Sequence, residues 1–172
     1  MDLKNIDMVV EISANTNIKY EIDKQTNLLR CDRILNIPFT YPGNYGYIPN
    51  TLSLDNDPLD ILLINTEELV PNTIIKVKIL GVLLTEDENG EDEKIIAVPD
   101  NSVDKSNQSI NDINDLTDHI LNYIKYFFTH YKDNEINKWV KVDSYRGRDE
   151  ALKIIYNSHE RFKNQLVTNK SV

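Results

Sequence analysis

Three carboxylates fall within six residues at Asp55-Asn56-Asp57-Pro58-Leu59-Asp60, and an apolar run, Ile61-Leu62-Leu63-Ile64, follows at once. Acids this close together beside a core segment repel one another and resist burial unless positive charge sits between them. A hard divalent cation meets that need, because Mg²⁺ and Ca²⁺ prefer carboxylate oxygens. Asp55 and Asp57 are two residues apart, so an extended backbone aims them to one side. Asp57-Pro58-Leu59-Asp60 reads as a turn, with Asp first and Pro second. A solvated Asp-rich turn is the plain alternative. An EF-hand calcium loop is excluded, since it needs Gly at its sixth position and Glu at its twelfth, where this chain has Asp60 and Thr66.

A second acidic run spans Glu86 to Glu93 and ends at Lys94. Its Asn89-Gly90 pair is a strong hairpin signal. A two-residue turn there sets Glu88 opposite Glu91 and Asp87 opposite Asp92. Like charges so placed destabilise, and a metal between Asp87 and Asp92 turns the repulsion into chelation. Lys94 shares a face with Asp92; a solvated hairpin tip is the rival reading. In Ile18-Lys19-Tyr20-Glu21, strand alternation sends Lys19 and Glu21 to one side. Glu11 interrupts the apolar Val9-Val10-Glu11-Ile12, so it either finds a partner or ligand or faces outward. Arg33 lies just past a strand. Tyr131-Lys132 ends a helix, where the dipole alone accounts for a cation. His119, His130 and His159 lack metal-ligand spacing. Cys31 reads as a small buried residue, and Tyr123, Tyr126, Phe127 and Phe128 as core or subunit contact. Trp139 either lines the barrel or shields the site.

The elements that must position these groups follow from periodicity. Met8–Ala14, Ile18–Ile22, Leu28–Asp32, Asp60–Asn65, Ile74–Thr85 and Lys94–Val98 read as strands, with Gly81 marking a bulge or bend. Pro38–Pro49, with its prolines and glycines, reads as loop. Leu116, Ile120, Tyr123, Ile124, Phe127, Phe128 and Tyr131 recur at helical spacing, and Asn114 or Asp115 is placed to cap that helix. A second helix runs from about Asp149 to Gln165. Residues 100–114 read as a long polar loop and 168–172 as a frayed tail. Strands followed by helices predict an α+β domain, mainly β, whose simplest edge-free sheet is a small closed barrel.

The 172 residues suit a single domain, with 40% hydrophobic and 27% charged residues. A net charge of -9 argues against non-specific nucleic-acid binding. No apolar run approaches the ~20 residues of a membrane span, and Met1-Asp2-Leu3-Lys4-Asn5 has no leader pattern. Cys31 is the only cysteine, so a cytoplasmic setting is expected. A non-catalytic nucleic-acid or oligosaccharide module, a calcium-binding acidic protein and a nucleotide hydrolase are the competing classes; no P-loop supports the last.

The pattern Glu11, Lys19-Tyr20-Glu21, Asp32-Arg33, Tyr41-Pro42-Gly43-Asn44-Tyr45-Gly46-Tyr47, Asp55-x-Asp57-Pro-x-Asp60, Gly90-Glu91-Asp92-Glu93-Lys94, His130-Tyr131-Lys132 and Lys138-Trp139-Val140-Lys141-Val142 resembles soluble family I inorganic pyrophosphatase. The likeness runs from about Val9 to Phe162. Asn56 stands where Gly is usual, and Ser13 where Pro is usual; Asn tolerates left-handed backbone well enough to keep the turn.

The resemblance implies a five-stranded OB-like closed barrel flanked by two α-helices. It implies Mg²⁺-dependent hydrolysis of pyrophosphate to two orthophosphates through a water held between metals, with Asp57 as general base. By the same resemblance Asp55, Asp60, Asp87, Asp92 and Glu11 are metal ligands, and Lys19, Arg33, Tyr45, Lys94, Tyr131 and Lys132 grip the substrate. Glu21 and Tyr41 support the pocket. Three to four Mg²⁺ per site are implied, with Mn²⁺ or Zn²⁺ as substitutes, and so is a homohexamer. Charge makes this reasonable: the acids of the site outnumber its bases by three, and pyrophosphate adds roughly -4, a load that several divalent cations bring near neutral.

Overall fold

The computed structural model describes residues 2–23 and 25–169. In chain order the strands are β1 (Ile6–Ile12), β2 (Ile18–Ile22), β3 (Leu29–Ile34), β4 (Asn44–Tyr47), β5 (Asp60–Leu63), β6 (Ile74–Asp87), β7 (Gly90–Glu91), β8 (Lys94–Pro99) and β9 (Val140–Gly147). The helices are α1 (Asp118–His130) and α2 (Arg148–Asn169). β1 pairs with β4, β4 with β5, β5 with β8, β8 with β6, and β6 returns to β1. The ring is therefore a closed five-stranded barrel. Its only parallel pair is β5–β8. Closure removes the exposed edges that a sheet of this size would otherwise present. β2 and β3 form a separate ribbon, and β9 adds to β6 outside the ring.

Both faces of the central strands are covered, which is why β5 and β8 read as unbroken apolar runs rather than alternating ones. Ile61, Leu63, Ile95 and Ala97 belong to a core that includes Ala151 and Ile155 of α2. Their neighbours Leu62, Ile96 and Val98 belong to a second core with Ile124, Phe127 and Phe128 of α1. Phe127 and Phe128 are fully buried, a gain of about 1.5–3 kcal/mol each.

Several elements depart from the sequence expectations. The stretch over 38–49, expected as loop, contains β4, a strand in the middle of the ring. Gly46 permits it: a Cβ there would stand 1.9 Å from the Val9 carbonyl oxygen, so the glycine reflects close approach of β1, not a break. β9 was not expected at all, although its alternating half-buried and exposed residues carry the strand period. α1 is capped by Thr117, whose side chain accepts from Ile120 N, and not by Asn114 or Asp115. Those two sit in a 3-10 turn (Ile113–Asp115) capped by Asp112, within the expected polar loop. The hairpin slips by two residues: Asp87 pairs with Gly90 and Glu86 with Glu91, so Glu88 and Asn89 make the turn. Gly90 takes φ 117° beside it. Cys31 is exposed, not buried, because the β2–β3 ribbon has no sheet packed over that side chain. Thr168 and Asn169 remain helical where a frayed tail was expected; 170–172 lie outside the described residues. The pairing of β6 with β8 does shift register between Ile79 and Gly81, as the glycine suggested.

Candidate active site

β4, β5 and β8 carry one cluster. Lys94, the first residue of β8, is 2% exposed, yet its ammonium donates to Asp60 Oδ2 and to Asp92 Oδ1, each at 2.5 Å. Tyr45 on β4 also donates from its hydroxyl to Asp60 Oδ2, at 2.5 Å. Residue pairing puts Tyr47 beside Asp60 and Tyr45 beside Leu62, so the ladder itself brings β4 and the start of β5 together. An aromatic wall stands behind: Tyr41 packs on Tyr45 and Phe127, and Phe128 on Tyr45 and Tyr131. The Lys94 ammonium lies 5.8 Å from the Tyr45 ring centre, a cation–π distance.

The second acid–lysine pair comes from the long β6 and the end of α1. Lys132, just past the helix, donates to Asp87 Oδ2 at 2.6 Å and lies 3.3 Å from Glu88 Oε2. The β2–β3 ribbon brings a third group. Lys19 faces Arg33 across the ribbon and contacts Glu21; it also lies 3.3 Å from Asp32 Oδ2, which Arg33 Nη1 reaches at 3.2 Å. Arg33 Nε is buried and sits 3.3 Å from Glu135 Oε1 without hydrogen-bonding geometry. Glu11 on β1 joins ribbon to barrel by accepting from Ile22 N at 3.0 Å.

Asp55 and Asp57 lie in a turn, not on extended backbone. Ser53 N donates to Asp57 O at 2.7 Å, and Asp57 N to Asp55 Oδ1 at 2.9 Å. Asn56 between them takes φ 69°, the left-handed geometry expected of it. The turn thus closes ahead of the expected Asp57–Asp60 turn. Thr51 staples the loop ends, accepting from Leu59 N at 2.9 Å and donating to Ile48 O at 2.5 Å.

Burial pushes the Glu11 carboxyl up to about 7, opposed by the Ile22 amide and aided by Asp60. Burial raises Asp55 too, opposed by the hydrogen bond from the Asp57 amide and aided by the charges of Asp57 and Asp92. Asp92 is raised by burial and by Asp60, against Lys94. Burial alone would raise Asp87, but the Lys132 ammonium and the Asn89 amide outweigh it and hold Asp87 low. Burial works against the charge on Lys94, and Asp60, Tyr45 and Asp92 overcome it, leaving the ammonium firmly protonated. Two carboxylates share one buried ammonium, so negative charge is left over, and Asp55 adds more. Among the described residues no three acid, His or Cys side chains stand together as a ready metal-binding group; lysines lie between the acids instead. The donor set still fits a hard divalent cation: it is all oxygen, and at Glu11, Asp55 and Asp92 burial raises the carboxyl, a cost that added positive charge would relieve.

The structure thus gathers Tyr41, Tyr45, Asp60, Asp92, Lys94 and Tyr131 in one cluster, within electrostatic reach of Asp55. Asp87 with Lys132, and Lys19 with Glu21 and Arg33, form flanking pairs. Asp32, Glu88 and Glu135 are partners that the sequence reading did not select. Asp32 had a signal, its place beside Arg33; Glu88 was hidden in a charge run; Glu135 had none. The three histidines lie on the helices, His119 exposed and His130 and His159 half-buried, with His130 Nδ1 on Asp133 and His159 Nδ1 on Asn50 O. Trp139 is exposed, with its amide on Glu88, so it does not line the barrel.

Fold and site together define a closed-barrel protein with an acid–lysine cluster suited to a small, highly charged anion and hard cations. The chain belongs to the inorganic pyrophosphatase family, whose model matches residues 8–163. It is 44% identical over 154 residues to inorganic pyrophosphatase of Helicobacter pylori (strain ATCC 700392 / 26695), spanning 90% of this chain and 89% of that one. It is also 44% identical over 162 residues to the Agrobacterium fabrum (strain C58 / ATCC 33970) protein of that name, spanning 94% and 92%. The solved Helicobacter pylori inorganic pyrophosphatase superposes with a TM-score of 0.90 at 42% identity, covering 92% of this chain and 94% of that one. Among the described residues no helix is long and apolar enough to cross a membrane.

Proposed function

We propose that this site hydrolyses inorganic pyrophosphate to two orthophosphates with Mg²⁺ as cofactor. The observation that carries the reading is the buried Lys94 ammonium, held by Asp60 and Asp92 at the centre of a chain of this family. Asp55, Asp60, Asp87, Asp92 and Glu11 would hold three to four Mg²⁺. Bound there, the ions supply positive charge to both phosphates and acidify water; Mn²⁺ or Zn²⁺ would substitute. Lys94 and Lys132 then donate to phosphate oxygens as well as to their carboxylates, and Lys19 and Arg33 approach from the ribbon. Tyr45 and Tyr131, whose rings lie against the Lys94 and Lys132 ammoniums, grip the substrate beside those lysines. Tyr41 packs behind Tyr45, and Glu21 holds Lys19 in place. Asp57 takes the proton from the attacking water, because its turn presents it at an exposed loop tip beside Asp55. Positive charge and donors concentrated around the leaving phosphate stabilise the charge that develops on it.

In this reading residues 1–172 act as one domain, cytoplasmic and homohexameric, with no nucleic-acid or membrane partner. Phosphate release from pyrophosphate, measured with and without Mg²⁺ and after chelation, tests it. Release that requires Mg²⁺ is expected; no release at any Mg²⁺ concentration would refute the proposal.

A further inference from the structure

We propose that Arg161 is a positioning residue for the Asp55–Asp57 turn, acting through the backbone of Leu52; this rests on the reading of that turn as catalytic. α2 lies along residues 50–52 and engages three of their backbone groups. His159 Nδ1 donates to Asn50 O at 2.8 Å, Leu52 N donates to Ser158 O at 2.9 Å, and Arg161 Nε donates to Leu52 O at 2.8 Å. The same guanidinium donates from Nη2 to Ser158 Oγ at 2.8 Å, and Ser158 is fully buried. A planar fork pinned at both prongs has one orientation, and withdrawing it leaves a buried hydroxyl and a carbonyl without that donor.

The next links run to the site without a gap. Leu52 is followed by Ser53, whose amide closes the turn on Asp57 O at 2.7 Å. The Asp57 amide in turn holds Asp55 Oδ1. The Asp55–Asp57 tip contributes no ladder bonds to the barrel; α2 holds its entry side at residues 50–52, and Thr51 ties that side to the exit at Leu59, just before β5. Arg161 also stands within electrostatic reach of Glu93, beside Asp92. One cation thus backs both acidic segments without touching the reacting atoms.

Arg161→Ala, Arg161→Lys and Ser158→Ala test this, with hydrogen exchange of the metal-free protein and steady-state kinetics on pyrophosphate. In Arg161→Ala, kcat is expected to fall about 10- to 100-fold, the scale of a displaced catalytic group. KM should change by less than about threefold, since uniform binding is untouched. Exchange should quicken at amides 53–59 and stay slow in β8. Lysine reaches only one of the two acceptors and should recover part of the loss. Ser158→Ala, which frees one prong, should shift kcat the same way but less. Unchanged kcat with unchanged exchange in both alanine variants overturns the proposal. So does exchange that quickens across β1, β6 and β8 alike, which marks a merely structural residue. Asp57→Asn separates the two readings: full activity there removes Asp57 as base, while the exchange data still decide whether Arg161 holds the turn.

Discussion

Lys94 shows how a single side chain can be both structural and chemical. An ammonium buried to 2% exposure survives only because Asp60 and Asp92 flank it. The same carboxylates are the ones that a metal would claim, so charge in the site is shared. Asp60→Ala is therefore expected to damage Mg²⁺ affinity and turnover together; calorimetric Mg²⁺ titration beside a phosphate-release assay would show both falling. Asp57 occupies a different position, at the tip of a turn held by backbone bonds. Asp57→Asn should lower kcat about 10²- to 10⁴-fold, the usual worth of a general base, while the same titration shows Mg²⁺ binding largely intact. Parallel loss of both quantities would remove Asp57 from the role of base. These acids were legible in the sequence, because six residues carrying three carboxylates have few plain explanations. Glu135 against Arg33 was not, since a single acid in a polar loop carries no spacing signal.

Among the elements, α2 depends on one carboxylate that belongs to another segment. Asp112 accepts from Asn114 N and from Arg148 N, each at 3.1 Å, so it caps a 3-10 turn and the first residue of α2 at once. The Asn114 and Arg148 amides hold its carboxyl below the usual range. A depressed folded value means that the stabilisation is present above the unfolded pKa near 3.8 and is lost as pH falls through the folded one. Asp112→Ala should cost about 1 kcal/mol at neutral pH, and its thermal midpoint should approach that of the unsubstituted protein in acid. Scanning calorimetry at pH 7 and at a series of pH values falling below 3.8 checks that the difference narrows with acid. Strands such as β2 were readable from local alternation. β4 was not, because Pro42 and Gly43 before it, Pro49 after it and Gly46 within it report a loop until Gly46 is seen against β1.

At the scale of the whole molecule, ring closure joins segments far apart in the chain. β1 meets both β4 and β6, and β5 lies parallel to β8 across an intervening hairpin. The acidic turn before β5 and the acidic hairpin before β8 thereby reach the same end of the barrel. Of the α1 aromatics expected as core or subunit contact, Phe127 and Phe128 are core, while Tyr123 and Tyr126 are exposed. With a chain mass of 20.0 kDa, light scattering should give about six times that value for the proposed hexamer; a monomer mass would reject it. Periodicity already pointed to a mainly β chain and clustered carboxylates to acids needing cations, and the quoted motifs resembled the family whose model matches residues 8–163. Spacing singled out the acidic segments, and the resemblance supplied the roles proposed for their residues. Which lysine meets which carboxylate, where the hairpin turns and what supports the Asp55–Asp57 tip were decided only on folding. Contacts such as Lys94 with Asp60 and Lys132 with Asp87 join residues 34 and 45 positions apart, and even the short-range ones take their geometry from strand register and packing, which no local stretch of sequence encodes.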